Sequence, residues 1–277
     1  SYAVWPHMSV YQNIAYALKL RKLTKSEVKR RVEQAAEMAN ITEYLDRNPS
    51  QLSGGQRQRV AVARAMAVEP KLFLMDEPLS NLDAKLRVSM RTDLKKVHEK
   101  LGSTTIFVTH DQSEAMSLAD RIVVMNMGVI EQIGTPNEIY HDFETIFGAN
   151  FIGSPPTNFI DVQIILEDNR VIAKHEGFEF EVTTKVKKGL MTYKNKTVVM
   201  GVRPENFVVS KAPGLFETKI HFVEPQGSHT VFVIELMEQQ LKLVSSELFD
   251  LKVGQSIHVN INEKSLFFDK DTSKRIR

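Results

Sequence analysis

The sequence predicts an α/β domain followed by a small all-β domain, on three observations. Short, wholly apolar runs alternate with helical patterns over the first half of the chain. After Gly153-Ser154-Pro155-Pro156 the pattern changes to short alternating or β-branched runs separated by turn residues. At 277 residues the chain is also long enough to bury two separate cores.

The first half is read in order. Thr24-Lys25-Ser26-Glu27 has the spacing of a capping box. It opens a helix with Val28, Val32, Ala35, Ala36 and Ala39 on one face. A second helical stretch, rich in Arg, Ala and Val, runs from Gly54 to Val68. Leu72-Phe73-Leu74-Met75 is a wholly apolar run, expected as a strand buried on both faces. Thr104 to Val108 and Arg121 to Met125 have the same character. A helix from Ala84 to Leu101, stopped by Gly102, separates the first two strands. Strand, helix, strand, helix, strand implies a parallel sheet with right-handed crossovers. In the second half the strand-like runs are Ile160–Leu166, Val198–Val202, Lys219–Val223, Thr230–Leu236, Leu241–Val244 and Ser256–Ile261. The Pro-Pro segment is the expected linker, giving domains 1–153 and 154–277.

Composition narrows the classes. Thirty-six basic and 34 acidic residues leave a formal charge of +2, which argues against a binder of nucleic acid driven by bulk charge. Without cysteine there is no disulfide framework and no thiolate metal site. No apolar run reaches the roughly 18 residues of a membrane-spanning helix. The opening Ser1-Tyr2-Ala3-Val4-Trp5-Pro6-His7 has neither the basic start nor the apolar stretch of a signal peptide.

The most specific string is Leu52-Ser53-Gly54-Gly55-Gln56, expected by average residue usage at roughly one position in a million. Ser53 can cap a helix, the glycines allow close approach of backbone N–H groups, and the helix start is electropositive. An ordinary Ser-Gly helix start would look the same. Next comes Leu72-Phe73-Leu74-Met75-Asp76-Glu77-Pro78, in which two carboxylates end a strand at the edge where open α/β sheets bind ligands. Asp76 can hold Mg²⁺ and Glu77 can polarise an attacking water. A solvated acidic turn is the plainer alternative. Ser80-Asn81-Leu82-Asp83 follows, and Thr109-His110-Asp111 ends the next strand. His110 can bond a phosphate or orient water, although a lone histidine is more often simply satisfied by its neighbours.

Signature, carboxylate pair, Asp turn and histidine occur in that order, with Asp76 twenty residues after Gln56 and His110 thirty-four after Asp76. This arrangement closely resembles the ATP-binding cassette family. The resemblance implies an ABC-type P-loop NTPase with a helical subdomain. Ser53, Gly54, Gly55 and Gln56 then correspond to the loop that contacts the γ-phosphate held by an opposite subunit. Asp76 matches the magnesium-associated carboxylate, Glu77 the general base and His110 the switch histidine. Ser80 to Asp83 match the loop that communicates across the dimer.

Met90-Arg91-Thr92-Asp93-Leu94-Lys95, Thr109-His110-Asp111-Gln112 and Asp120-Arg121-Ile122-Val123-Val124-Met125 look like the importer ATPases for maltose and related oligosaccharides. Phe151-Ile152-Gly153-Ser154-Pro155-Pro156 does too. Gly201-Val202-Arg203-Pro204-Glu205, Val223-Glu224-Pro225-Gln226-Gly227-Ser228 and Phe267-Phe268-Asp269 resemble the OB-like, TOBE-type regulatory domain of that group. Polyamine, glycerol-phosphate and iron importers share much of this pattern. The resemblance implies ATP and Mg²⁺ as cofactors, a homodimer or paired ATPase subunit, and two transmembrane permease subunits. It further implies an extracellular solute-binding protein as an indirect partner, no nucleic acid, and a place at the cytoplasmic face of the membrane.

One departure stands out. The phosphate-cradling string Gly-x-x-x-x-Gly-Lys-Ser/Thr occurs nowhere among the 277 residues. Residues 1–7 look like the stretch just after the family's glutamine-containing switch loop. The first strands, the P-loop and that glutamine are therefore expected to be missing, and the fragment alone is expected to be inactive. Three functions follow: a transport ATPase, a non-catalytic remnant that keeps docking and regulatory surfaces, or a DNA-repair-type cassette. The last is disfavoured because the chain runs directly into a β-domain, without long coiled-coil arms. In the first reading, a carboxylate at Gly55 is expected to spare ATP binding but block dimerisation and hydrolysis.

Overall fold

The structure is a computed structural model that describes residues 4–80, 82–210, 212–247 and 251–277, with the side chain of Leu101 also left out. The chain divides into two compact units, Ser1–Asp120 and Arg121–Arg277.

The first unit begins with three helices: α1 (Val10–Leu20), α2 (Lys25–Met38) and α3 (Gly54–Met66). Helix α1 was not read from the sequence. Its signals are a capping box between Ser9 and Gln12 and a buried face of Val10, Ile14, Ala15 and Leu18. Asn13 on that face is fully buried, and its amide bonds Trp5, Met8 and Ser9, which fixes the entering chain. Val28, Val32, Ala35, Ala36 and Ala39 are buried as one face, as their spacing predicts. Only half of the expected cap forms there. Thr24 accepts the Glu27 N–H at 3.3 Å, but the Glu27 carboxylate turns away to Arg30 and Arg31. Charge-assisted bonds to two guanidiniums outcompete a single backbone N–H.

Strand β1 (Leu72–Asp76) and strand β2 (Thr104–Val108) pair in parallel, with Leu72 opposite Thr104 and Asp76 opposite Val108. Between them α4 (Ala84–Leu101) is the crossover, ended by Gly102 at φ 60°. Helix α5 (Gln112–Leu118) follows β2. Phe73 and Met75 enter a core shared with α1 to α4. Leu72, Leu74, Ile106 and Val108 on the other face are each about half exposed or more. The expectation of strands buried on both faces is thus met on one face only among the described residues.

The second unit opens with a hairpin, not with a third parallel strand. Strand β3 (Ile122–Asn126) pairs antiparallel with β4 (Val129–Gly134). Met127 and Gly128 form the two-residue turn at φ 47° and 83°, the positive dihedrals such hairpins require. A Met in that turn hides the hairpin from the sequence. Two short helices follow, α6 (Pro136–His141) and α7 (Ile146–Phe151).

The remaining strands are β5 (Asn158–Glu167), β6 (Arg170–His175), β7 (Phe178–Glu181), β8 (Thr197–Val202), β9 (Phe207–Ser210), β10 (Phe216–Pro225), β11 (Thr230–Leu236), β12 (Gln239–Ser245), β13 (Ser256–Ile261) and β14 (Leu266–Asp269). Helix α8 (Lys187–Leu190) lies between β7 and β8. They form two antiparallel five-stranded sheets, β12-β11-β10-β13-β9 and β14-β8-β5-β6-β7, around one hydrophobic core. All six predicted runs fall inside strands.

Candidate functional site

The signature string starts α3. Ser53 is its N-cap: the Ser53 hydroxyl accepts the Gln56 N–H at 3.3 Å, and Gln56 Oε1 accepts the Ser53 N–H at 2.8 Å. The capping reading of Ser53 is therefore met, and the exposed hydroxyl keeps its own proton to donate. Gly54 opens onto free space, whereas Gly55 is buried and a Cβ there would lie 2.6 Å from Leu86 Cδ2. Leu86 belongs to the first turn of α4, whose cap is Asp83: Asp83 Oδ1 accepts the Leu86 N–H at 2.9 Å. Packing of Gly55 on Leu86 thus brings the signature helix against the start of α4. Arg59 on α3 adds a half-buried ion pair with Asp93 on α4 at 2.7 Å.

Asp76 and Glu77 end β1 with exposed side chains. Glu77 takes φ 42°, a conformation that few non-glycine residues adopt and that costs on the order of 1–3 kcal/mol. Three hydrogen bonds hold it there. Its N–H donates to Val108 O at 2.8 Å, extending the ladder beyond the strand, and its carbonyl accepts from both N and Oγ of Ser80. The backbone is pinned without using the carboxylate. That carboxylate meets His110, with Nδ1 3.2 Å from Glu77 Oε1. The parallel register explains the meeting: β1 and β2 end side by side, so residues just beyond each strand share one edge.

Two layers behind this edge were not read from the sequence. Gln58, on α3, is almost fully buried and donates to the carbonyl of Pro78, one residue past Glu77. Glu114 on α5 is also buried and accepts the Thr109 hydroxyl at 2.6 Å. Arg87 on α4 donates to Asp111 at 3.2 Å and to Leu82 O at 3.2 Å. Asp111-Gln112-Ser113-Glu114 has cap-like spacing, which is the available signal, but here the Glu114 side chain turns inward.

The expected site residues thus form two groups. Ser53, Gly54, Gly55, Gln56 and Asp83 gather around the starts of α3 and α4, while Asp76, Glu77 and His110 share the sheet edge. No hydrogen bond or ion pair among the described residues joins Ser53 or Gln56 to Glu77 or His110. Asn81, within the expected dimer-communicating loop, lies outside the described residues, as do Ser1 to Ala3 of the opening stretch.

Among the described residues no helix is long and apolar enough to cross a membrane. Comparison with known proteins matches residues 1–80 to the ABC transporter family, 153–207 to the MalK OB fold domain and 200–268 to the TOBE domain. The chain is 46% identical over 278 residues to the sn-glycerol-3-phosphate import ATP-binding protein UgpC 2 of Agrobacterium fabrum, covering all of this chain and 73% of that protein. It is 45% identical over 291 residues to the trehalose/maltose import ATP-binding protein MalK of Thermococcus litoralis, covering 100% and 76%. It is 44% identical over 288 residues to the oligosaccharides import ATP-binding protein MsmX of Bacillus subtilis, covering 100% and 77%. With such identity along its whole length, the chain belongs to the ABC transporter family, in the group of import ATP-binding proteins that carry a MalK-type OB fold and a TOBE domain.

Proposed function

We propose that this protein is the ATP-hydrolysing subunit that energises import of an oligosaccharide or related solute, glycerol phosphate included, by an ABC transporter. The observation that carries the reading is the Glu77–His110 pair at the carboxyl edge of β1 and β2, beside Asp76. Glu77 accepts a proton from the attacking water, and His110 orients that carboxylate. Ser53 and the N–H groups at the start of α3 face the terminal phosphate of a nucleotide on a second copy or paired subunit.

The residues fit Mg²⁺ in a limited way. No cluster of three or more ligating side chains occurs among the described residues. Asp76 offers one hard carboxylate, which suits an ion that takes one or two carboxylates and completes its shell with phosphates and water. Bound MgATP supplies the phosphoanhydride, with the metal neutralising phosphate charge. The reading also needs a phosphate-cradling loop, and we assign it to a part of the complete subunit outside these 277 residues. Two permease subunits and a place at the cytoplasmic membrane face complete the proposal. The MalK OB fold match begins at residue 153, whereas the compact second unit begins at Arg121, so we take 153/154 as a division between family domains and not between cores.

The test is Glu77→Gln in the complete subunit. Turnover should fall by roughly 10²–10⁴-fold while ATP binding persists, trapping an ATP-bound dimer. A fall of less than tenfold would remove Glu77 as the base.

A further inference from the structure

His110 is an exposed side chain, 70% accessible, and yet it faces Glu77 at 3.2 Å. An imidazole so open to solvent keeps one orientation only if the backbone on either side is held. Both sides are. The Thr109 hydroxyl donates to Glu114 Oε2 at 2.6 Å and accepts the Asp111 N–H at 2.9 Å, bracketing His110 in a closed turn. Asp111 Oδ1 in turn accepts the Glu114 N–H at 3.1 Å.

A guanidinium fastens this turn to α4. Arg87 Nη1 donates to Asp111 Oδ2 at 3.2 Å, and Arg87 Nε lies 3.9 Å from Glu114 Oε1. Arg87 Nη2 donates to Leu82 O at 3.2 Å, one residue before Asp83. One side chain therefore spans the loop carrying His110 and the loop ending at Asp83. Glu114 is 2% exposed, and a carboxylate so buried persists only with partners. Thr109 and Arg87, which its side chain meets, both serve the His110 turn.

We propose that Arg87 and Glu114 are positioning residues that hold His110 against Glu77 and fix that orientation relative to the Asp83 loop. This rests on the roles given to Glu77 and His110 above. The planar fork of arginine reaches two loops at once; a lysine ammonium has the charge without the fork.

The test uses the complete subunit with labelled histidine, its His110 imidazole signal identified as the one absent from His110→Ala. Glu77→Gln should shift that signal. In Arg87→Met the same Glu77→Gln change should no longer shift it, and in Arg87→Lys the response should return in part. Assembled in its transporter, Arg87→Met should lower kcat by about tenfold or more with KM for ATP within twofold of wild type. Should Arg87→Met fail to fold, the near-isosteric Glu114→Gln carries the same comparison. A His110 response that persists unchanged in these variants overturns the positioning role alone, as does an unchanged kcat. A His110 signal indifferent to Glu77→Gln in the otherwise wild-type subunit overturns the Glu77–His110 pairing and this proposal together.

Discussion

A Cβ placed on Gly55 would meet Leu86 at 2.6 Å, whereas one placed on Gly54 would meet nothing within 4 Å. This difference redirects the test of the signature loop. The motif alone points to Gly55, but a carboxylate there must first displace a packed leucine, so lost activity would mix misfolding with phosphate repulsion. Gly54 is the first residue of α3, and an aspartate at that position interacts favourably with the helix dipole. Gly54→Asp in the complete subunit should therefore melt within about 2 °C of wild type, as substitutions that meet no clash and break no contact do. ATP binding should be kept, while ATP-driven dimerisation and hydrolysis are lost, if the helix start faces a partner's phosphate as proposed above. Titration with ATP, size measurement with and without nucleotide, and a melting curve decide it. A normal ATP-driven dimer would show that this helix end does not face a phosphate. The residues proposed for the site were legible because their types and spacing match what the proposed chemistry requires. Arg87 and Glu114 were not, since their meeting depends on how α4 packs beside α5.

At the scale of elements, α2 shows how a local signal is diverted. Hydrogen bonds from Arg30 first and Arg31 second lower the Glu27 carboxyl from 4.5 to about 2. Arg31 continues to Glu69 at 3.2 Å, just beyond α3, so the pair ties α2 to its neighbour. A depressed carboxyl contributes stability that is fully present above pH 4.5 and is lost as pH falls through about 2. Glu27→Gln should accordingly lower Tm at pH 7, and the gap to wild type should close progressively between pH 4.5 and 2. A gap that stays constant over that range would mean that Glu27 acts through packing or capping, not through its charge. The same contrast governs which elements could be read. In β11 burial alternates over much of the strand, and the predicted and observed limits coincide at Thr230–Leu236. In β6 the polar ends Arg170, Lys174 and His175 leave only three buried residues in a row, and β7 has only four residues. Neither gives a period long enough to recognise.

On the scale of the whole molecule, the two units have separate cores, and the second one poses the sharper question of where it begins. Linker chemistry suggests Pro155 and Pro156, but residues before them are built into the β-sheet unit. Arg203, 5% exposed, stacks over Tyr140 at 3.9 Å and Phe143 at 4.7 Å and donates to the carbonyls of Tyr140 and Ile152. Burial lowers the pKa of its guanidinium, so the aromatic faces and carbonyls compensate for lost water. Asp142 receives both Arg275 and Arg277, and Ile146 N–H bonds Ser273 O at 3.0 Å. A fragment of residues 121–277 should therefore melt cooperatively, and one of residues 154–277 should melt lower. Two cation–π contacts and two charge-assisted hydrogen bonds are together worth about 3 kcal/mol or more. At roughly 2–4 °C per kcal/mol for a chain of this size, the expected difference is about 6–12 °C. Arg203→Ala in the longer fragment should bring its Tm down by much of that difference and leave the shorter fragment nearly unaffected. Equal melting of the two fragments would put the boundary at the proline pair and reduce the Arg203 cluster to a surface contact without energetic weight.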